Sequence, residues 1–160
     1  MKSDNTLTII SKIYNGTEYL LIKELRNAGV YGIVPSHGKI LYALFKNNSL
    51  SMNELSVKIK KTPQTVTTLV KKLEEMGCLE SHKLDSDRRT TIVSLTDSGK
   101  ELKPVFDNIS EKLYIEQYKG LNNDEIKEFV RLLKLVEKTF KYLCLFCLKL
   151  EVYERRKKWN

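Results

Sequence analysis

The sequence predicts a mainly α-helical fold that carries one small β-hairpin. Three observations lead there. Apolar residues recur at helical spacing along most of the 160-residue chain. Two strong helix-start signals, Ser51 and Thr62, stand close enough that a tight turn must join their helices. The stretch with β-character, Leu79 to Leu95, is short and interrupted by turn-forming residues.

The elements follow in order. Residues 6–27 place Leu7, Ile10, Ile13, Tyr14, Leu20, Leu21 and Leu25 at helical spacing; Asn15-Gly16 predicts an interruption and Ala28-Gly29 a stop. After a loop through Gly32 and Pro35, Ser36 is the expected cap of a second helix over 37–47, with Ile40, Leu41, Leu44 and Phe45 on one face. Ser51 followed by Glu54 is a reciprocal capping box and predicts a helix from Met52 to Ile59. Thr62 caps the next helix, and Pro63 occupies its first turn, where a missing N–H costs nothing. Together they predict a helix-turn-helix.

The helix after Thr62 runs to Gly77, which suits a left-handed C-terminal cap, with Leu79 folding back on the helix end. Val66, Leu69, Val70, Leu73 and Met76 cluster on one side; Gln64, Thr67, Thr68 and Lys71 fall on the other. Acidic residues appear on this helix only at Glu74 and Glu75, so its N-terminal half presents a face compatible with phosphate. Residues 79–84 and 89–95 form the hairpin, with 85–88 as the turn. Thr96 caps a helix that begins at Asp97 and reaches about Gln117, with Pro104 placed to kink it. A long helix follows from Leu121.

Composition narrows the function classes. A net charge of +8 and a pI near 9.3 favour an anionic partner, nucleic acid ahead of a membrane surface. The excess is not concentrated centrally: residues 50–103 hold ten basic and eight acidic side chains, so placement carries more weight than bulk charge. The chain shows no signal peptide and no run long enough for a membrane span, which predicts a cytoplasmic protein without membrane partners. Three cysteines, an odd number, predict reduced thiols.

A helix-turn-helix followed at once by a hairpin is the order of a winged helix-turn-helix. From Ser51 to Leu102 the chain resembles the multiple-antibiotic-resistance regulator (MarR) family of bacterial transcription factors. The resemblance is carried by Leu73-Glu74-Glu75-Met76-Gly77, Asp87-Arg88-Arg89 and Leu95-Thr96-Asp97-Ser98-Gly99, in that order and at the family's spacing. Cys78 departs from it, standing where a larger aliphatic residue is usual. The resemblance implies a homodimer with interlocked N- and C-terminal helices: 1–34 as the N-terminal dimerisation helix and loop, 35–96 as the DNA-binding lobe, 97–160 as C-terminal dimerisation helices and a basic tail. It also implies one lobe on each half of a roughly palindromic operator, with no cofactor.

On this reading Gln64, Thr65, Thr67, Thr68 and Lys71 lie nearest the bases of double-stranded DNA in the major groove. Lys60, Lys61, Thr62 and Lys72, flanking the helix start and its edge, meet phosphate. The family pattern puts Arg89 in the minor groove and Arg88 on or near the backbone, and makes Asp87 the positioning partner of Arg89, which is expected to accept hydrogen bonds within the turn and orient a guanidinium. An arginine on a rigid hairpin is suited to the enhanced negative potential of a narrow minor groove. A small aromatic effector, common in the family, would use a crevice near Tyr14, Tyr31 and His37.

The remaining candidates read more plainly. Cys144 and Cys147 form a possible redox pair, although two small apolar residues in a dimer core explain them better. No second ligand pair completes a metal site, and His37 and His82 stand apart. The chain lacks a glycine-rich phosphate loop, a nucleophile elbow and triad spacing, which argues against an enzyme. The alternative to a repressor is a winged-helix protein-interaction module without sequence-specific DNA binding.

Overall fold

The structure, a computed structural model, describes residues 5–84 and 86–157, except the side chains from 141 onward. It divides into two compact units, Met1–Gln117 and Tyr118–Asn160. In the first, α1 (Thr6–Asn27) and α2 (Pro35–Asn47) precede a short strand β1 (Ser49–Ser51). The helices α3 (Met52–Ile59) and α4 (Pro63–Glu75) follow, then the strands β2 (Leu79–Leu84) and β3 (Asp87–Leu95), and finally α5 (Asp97–Glu101) and α6 (Lys103–Gln117). The second unit contains α7 (Asn123–Lys157).

The core forms where α2, α3 and α4 meet the sheet. Ile40, Leu41, Leu44, Leu55, Val66, Leu73 and Val93 are fully buried there, and α1 adds Leu25. Phe106 of α6 packs edge-on against Phe45 of α2, with ring centroids 5.7 Å apart. Lys112 of α6 reaches back to Glu24 of α1 at 2.7 Å, across 88 residues of chain. That bond, rather than the faint charge of Lys23, chiefly holds the Glu24 carboxyl below its usual range.

Several sequence expectations change. The first helix is continuous through Asn15-Gly16, because Gly16 lies exposed with nothing near it and one glycine costs a long helix only about 1 kcal/mol. The second helix starts at Pro35, not after Ser36; its N-cap is Val34, whose N–H donates to Nδ1 of His37 at 3.3 Å. Pro35 supplies the pre-set first-turn φ.

The predicted two-stranded hairpin is the larger part of a three-stranded antiparallel sheet, ordered β1-β3-β2. β1 escapes sequence reading because three residues are too few for alternation, yet it sets Leu50 opposite Val93 in the core. β3 also begins at Asp87, two residues earlier than expected, so Asp87 and Arg88 belong to the strand; a register shift at Lys83/Leu84 brings Leu84 opposite Asp87.

The expected helix from Asp97 to Gln117 is two helices separated at Leu102. Pro104 has no N–H to give, and its ring excludes the carbonyl four residues back, so the helix breaks instead of kinking. In the second unit, Oδ1 of Asn122 accepts from the N–H groups of Asp124 and Glu125 at 3.0 Å, and the Glu125 carboxylate accepts from the Asn122 N–H at 2.8 Å. This reciprocal cap starts α7.

Candidate nucleic-acid interface

Local hydrogen bonds build the helix-turn-helix. Oγ of Ser51 accepts from the Glu54 N–H at 3.2 Å, and the Glu54 carboxylate accepts from the Ser51 N–H at 2.7 Å, which holds the Glu54 carboxyl below its ordinary range. The turn passes through Lys60 in the left-handed region at φ 53°. That conformation is uncommon for a side-chain-bearing residue; here it lets the Lys61 N–H donate to the Ser56 carbonyl at 3.1 Å. Thr62 then opens α4, its hydroxyl accepting from the Thr65 N–H at 3.3 Å.

On α4 the sequence pattern sorts cleanly. Val66, Val70 and Leu73 are buried, whereas Gln64, Thr65, Thr67, Thr68, Lys71 and Lys72 are exposed, as are Lys60, Lys61 and Thr62 before them. The hydroxyl of Thr67 donates to the Pro63 carbonyl at 2.9 Å, and that of Thr68 to the Gln64 carbonyl at 3.2 Å. Their protons are thus spent on their own helix. What they offer a groove is a methyl group and an acceptor oxygen, which suits a thymine methyl. Lys72 is engaged differently: it pairs with Glu75 at 3.2 Å on an exposed face, a weak bond that a phosphate can replace.

The helix leaves through a Schellman turn. Gly77, at φ 71°, donates to the Glu74 carbonyl, and Cys78 donates to the Leu73 carbonyl at 2.9 Å. Thr96, at the far end of the hairpin, donates its hydroxyl to the Gly77 carbonyl at 2.6 Å and its N–H to the Cys78 carbonyl. The same hydroxyl accepts from the Gly99 N–H at 3.0 Å. A Cβ on Gly99 would stand 2.0 Å from the Cys78 carbonyl oxygen, so only glycine permits this contact. The Thr96-to-Gly99 motif is therefore a clamp that ties the end of α4 to the exit of the wing. Cys78 itself is buried beneath it, and burial pushes its thiol pKa up.

In the wing, Asp87, Arg88 and Arg89 are exposed. The Asp87 carboxylate accepts from the Thr90 hydroxyl at 2.8 Å and from the Arg89 backbone N–H at 3.0 Å, and these bonds hold its carboxyl below the usual range. It organises the entry to β3, holding the backbone from which Arg89 extends. Sequence reasoning missed Thr90 and also Lys83, which crosses from β2 to donate to the Thr91 hydroxyl at 2.9 Å. Strand alternation around the turn was the available signal for both.

The residues expected near an effector do not share one environment. Tyr31 is exposed in the loop between α1 and α2, and Tyr14 is exposed on α1 with its hydroxyl bonded to Glu18, which raises its pKa. His37 is only 6% exposed. Its Nδ1 accepts from the Val34 N–H at 3.3 Å, which ties the ring to the α1–α2 loop, and burial lowers its pKa. Cys144 and Cys147 fall on α7, with side chains outside the described residues. Among the described residues, no three His, Cys, Asp or Glu side chains are grouped to hold a metal ion, and no helix is long and apolar enough to cross a membrane.

Comparison with known proteins bears on the same region. Residues 35–80 match a family model described as winged helix-turn-helix DNA-binding. The HTH-type transcriptional regulator MgrA of Staphylococcus aureus is 26% identical over 101 residues, spanning 63% of this chain and 67% of MgrA. A cysteine-to-serine mutant of MarR from E. coli, solved with operator DNA, superposes with a TM-score of 0.74 at 21% identity, over 85% of this chain and 99% of that one. Bordetella bronchiseptica BpsR, whose structure concerns regulation of DNA binding by 6-hydroxynicotinic acid, also superposes with a TM-score of 0.74, at 19% identity over 86% and 96% of the two chains.

Proposed function

The chain is a DNA-binding transcriptional regulator of the MarR family, and from that premise we propose that it acts as a homodimeric repressor on a pseudo-palindromic operator, released by a small-molecule or oxidative signal. One observation carries the reading: α4 buries one apolar face while holding an amide, three threonines and a lysine exposed on the other, directly after a capped turn. Gln64, Thr65, Thr67, Thr68 and Lys71 read base edges; Lys60, Lys61, Thr62, Lys72 and Arg88 meet phosphates. Arg89 enters the minor groove, and Asp87 sets the backbone from which it extends.

Dimerisation is supported by the apolar side chains that one chain leaves exposed on α1, α6 and α7, among them Leu7, Ile13, Ile115 and Leu132. For an effector of the aromatic-acid class, Tyr14 and Tyr31 supply exposed phenol rings, while His37 holds the loop that presents Tyr31. Cys144 and Cys147 are the candidate thiols for an oxidative signal.

The test is a binding titration of the purified protein on DNA from its own promoter region at several salt concentrations, repeated with aromatic acids and with oxidant. A repressor of this kind shows binding that falls steeply with salt and is relieved by one of those additions. Salt-insensitive or absent binding would overturn the reading.

A further inference from the structure

The regular ladder between β2 and β3 ends on the rung formed by Lys83 and Thr91. The next residue of β2, Leu84, faces Asp87, so Arg88, Arg89 and Thr90 bulge out of the pairing just beyond that rung. On the other side of it Ser81 stands opposite Val93, and Leu79 opposite Leu95. Residues directly opposite share one side of a sheet, and that side recurs at every second residue. Lys83 and Thr91 therefore lie on the side where Leu79, Val93 and Leu95 are buried, the side that closes the core with α2, α3 and α4.

The amine of Lys83 is held differently from those of other exposed lysines. Lys72, Lys100, Lys103, Lys112 and Lys127 each lie within 3.2 Å of a carboxylate, which offsets their charge. Lys83 instead donates to the Thr91 hydroxyl at 2.9 Å, and among the described residues no carboxylate pairs with it. A hydroxyl fixes the direction of an ammonium without cancelling its charge, and it occupies one of three N–H donors. Behind the bonds from Thr90 and Arg89, the Lys83 charge also helps to lower the Asp87 carboxyl, so the amine stands near the tip of the wing.

Double-stranded DNA has a place for such a cation. Its wide and narrow grooves are neighbours, separated by one sugar-phosphate strand. A lobe with α4 in the major groove and Arg89 in the adjacent minor groove straddles that strand, and the core-facing side of the wing is turned toward it.

We propose that Lys83 binds a phosphate of the strand between those two grooves, and that Thr91 is its positioning residue. This deepens the DNA-binding reading and rests on it. The contact carries charge and no base information, so it sets affinity and the register of the wing on the duplex.

The experiment titrates DNA from the protein's own promoter region with the full chain at several salt concentrations, with neutral methylphosphonates replacing single phosphates along that strand. Lys83→Met keeps the apolar stem and removes the charge, whereas Lys83→Arg keeps the charge. Lys83→Met is expected to weaken binding by roughly tenfold at about 0.1 M salt and to reduce the salt slope by about 1 on every sequence. Lys83→Arg is expected to restore the slope. One methylphosphonate should weaken the wild type and leave Lys83→Met unaffected. Thr91→Val should shrink the penalty at that one position alone, with the circular dichroism spectrum unchanged.

A salt slope that Lys83→Met leaves as in the wild type, or methylphosphonate penalties identical in the two proteins, would overturn the assignment while the regulator reading stands. A Thr91→Val profile equal to that of the wild type would overturn the positioning role. A wild-type chain without salt-dependent binding would overturn the regulator reading itself, and the Lys83 contact with it.

Discussion

The carboxylate of Asp87 holds the backbone N–H of Arg89 at 3.0 Å, with its second oxygen on Thr90. An acidic residue in a basic wing is thereby explained: it shapes the strand from which the arginine projects. Arg89→Ala is expected to weaken operator binding by about 1–3 kcal/mol, roughly ten- to a hundredfold, with the fold unchanged. Titration of DNA with the variant, beside its circular dichroism spectrum, checks this.

The same contact is pH-dependent. Because the folded-state pKa of Asp87 is lowered, the contact's contribution is present above the ordinary carboxylate range and is lost as pH falls through the lowered value. Amide exchange at Arg89 and Thr90 is expected to quicken in acid, and Asp87→Asn to show faster exchange already at neutral pH. Unchanged exchange at both positions in the variant would contradict it.

Gly99 is expected to be intolerant of a methyl group. Its Cβ would meet backbone, the Cys78 carbonyl, so relief requires moving α5 away from the end of α4. Gly99→Ala is expected to cost about 1–3 kcal/mol or more, and Thr96→Val about 1 kcal/mol for the lost cap. Denaturant unfolding of both variants measures this, and neutral substitutions would show that the clamp is dispensable.

His37 makes stability pH-sensitive at a second place. Burial first, and then the nearby charge of Lys72, lower its pKa, while its bond to Gly32 works the other way. The neutral ring is therefore the folded form: stability is full above the ordinary imidazole value near 6.5 and is lost as pH falls from there through the lowered folded value. Unfolding free energy measured from pH 7.5 to 5 should decline, and His37→Gln should flatten that decline.

The residues proposed to read bases and those proposed to bind phosphate are expected to separate by salt. Lys61→Ala should weaken binding on all sequences alike and reduce the salt slope by about 1. Gln64→Ala should leave the slope and relax preference at one base position. Binding measured on an operator library at three salt concentrations distinguishes the two.

Much of the local architecture around the candidate site was legible in the sequence. Caps at Ser51, Thr62 and Thr96 are local, depending on a hydroxyl and an N–H three residues away, and all three form as expected. The buried and exposed sides of α4 follow from its 100° rotation per residue. Less legible were features whose partners lie far along the chain. Nothing near Ser49 announces that β1 will pair with β3, and nothing near Glu24 announces Lys112.

The sequence by itself therefore determined the order of elements, the outward face of α4 and the presence of a basic wing, because helical and strand periodicity act over a few residues. The tertiary structure decided what those parts hold. It turned the Asp87 carboxylate toward backbone, spent the threonine protons on their own helix, buried His37 under its loop and locked Gly99 against Cys78. The Gly99 contact depends on distant segments packing, whereas the others join atoms two to four residues apart whose pairing periodicity alone does not specify.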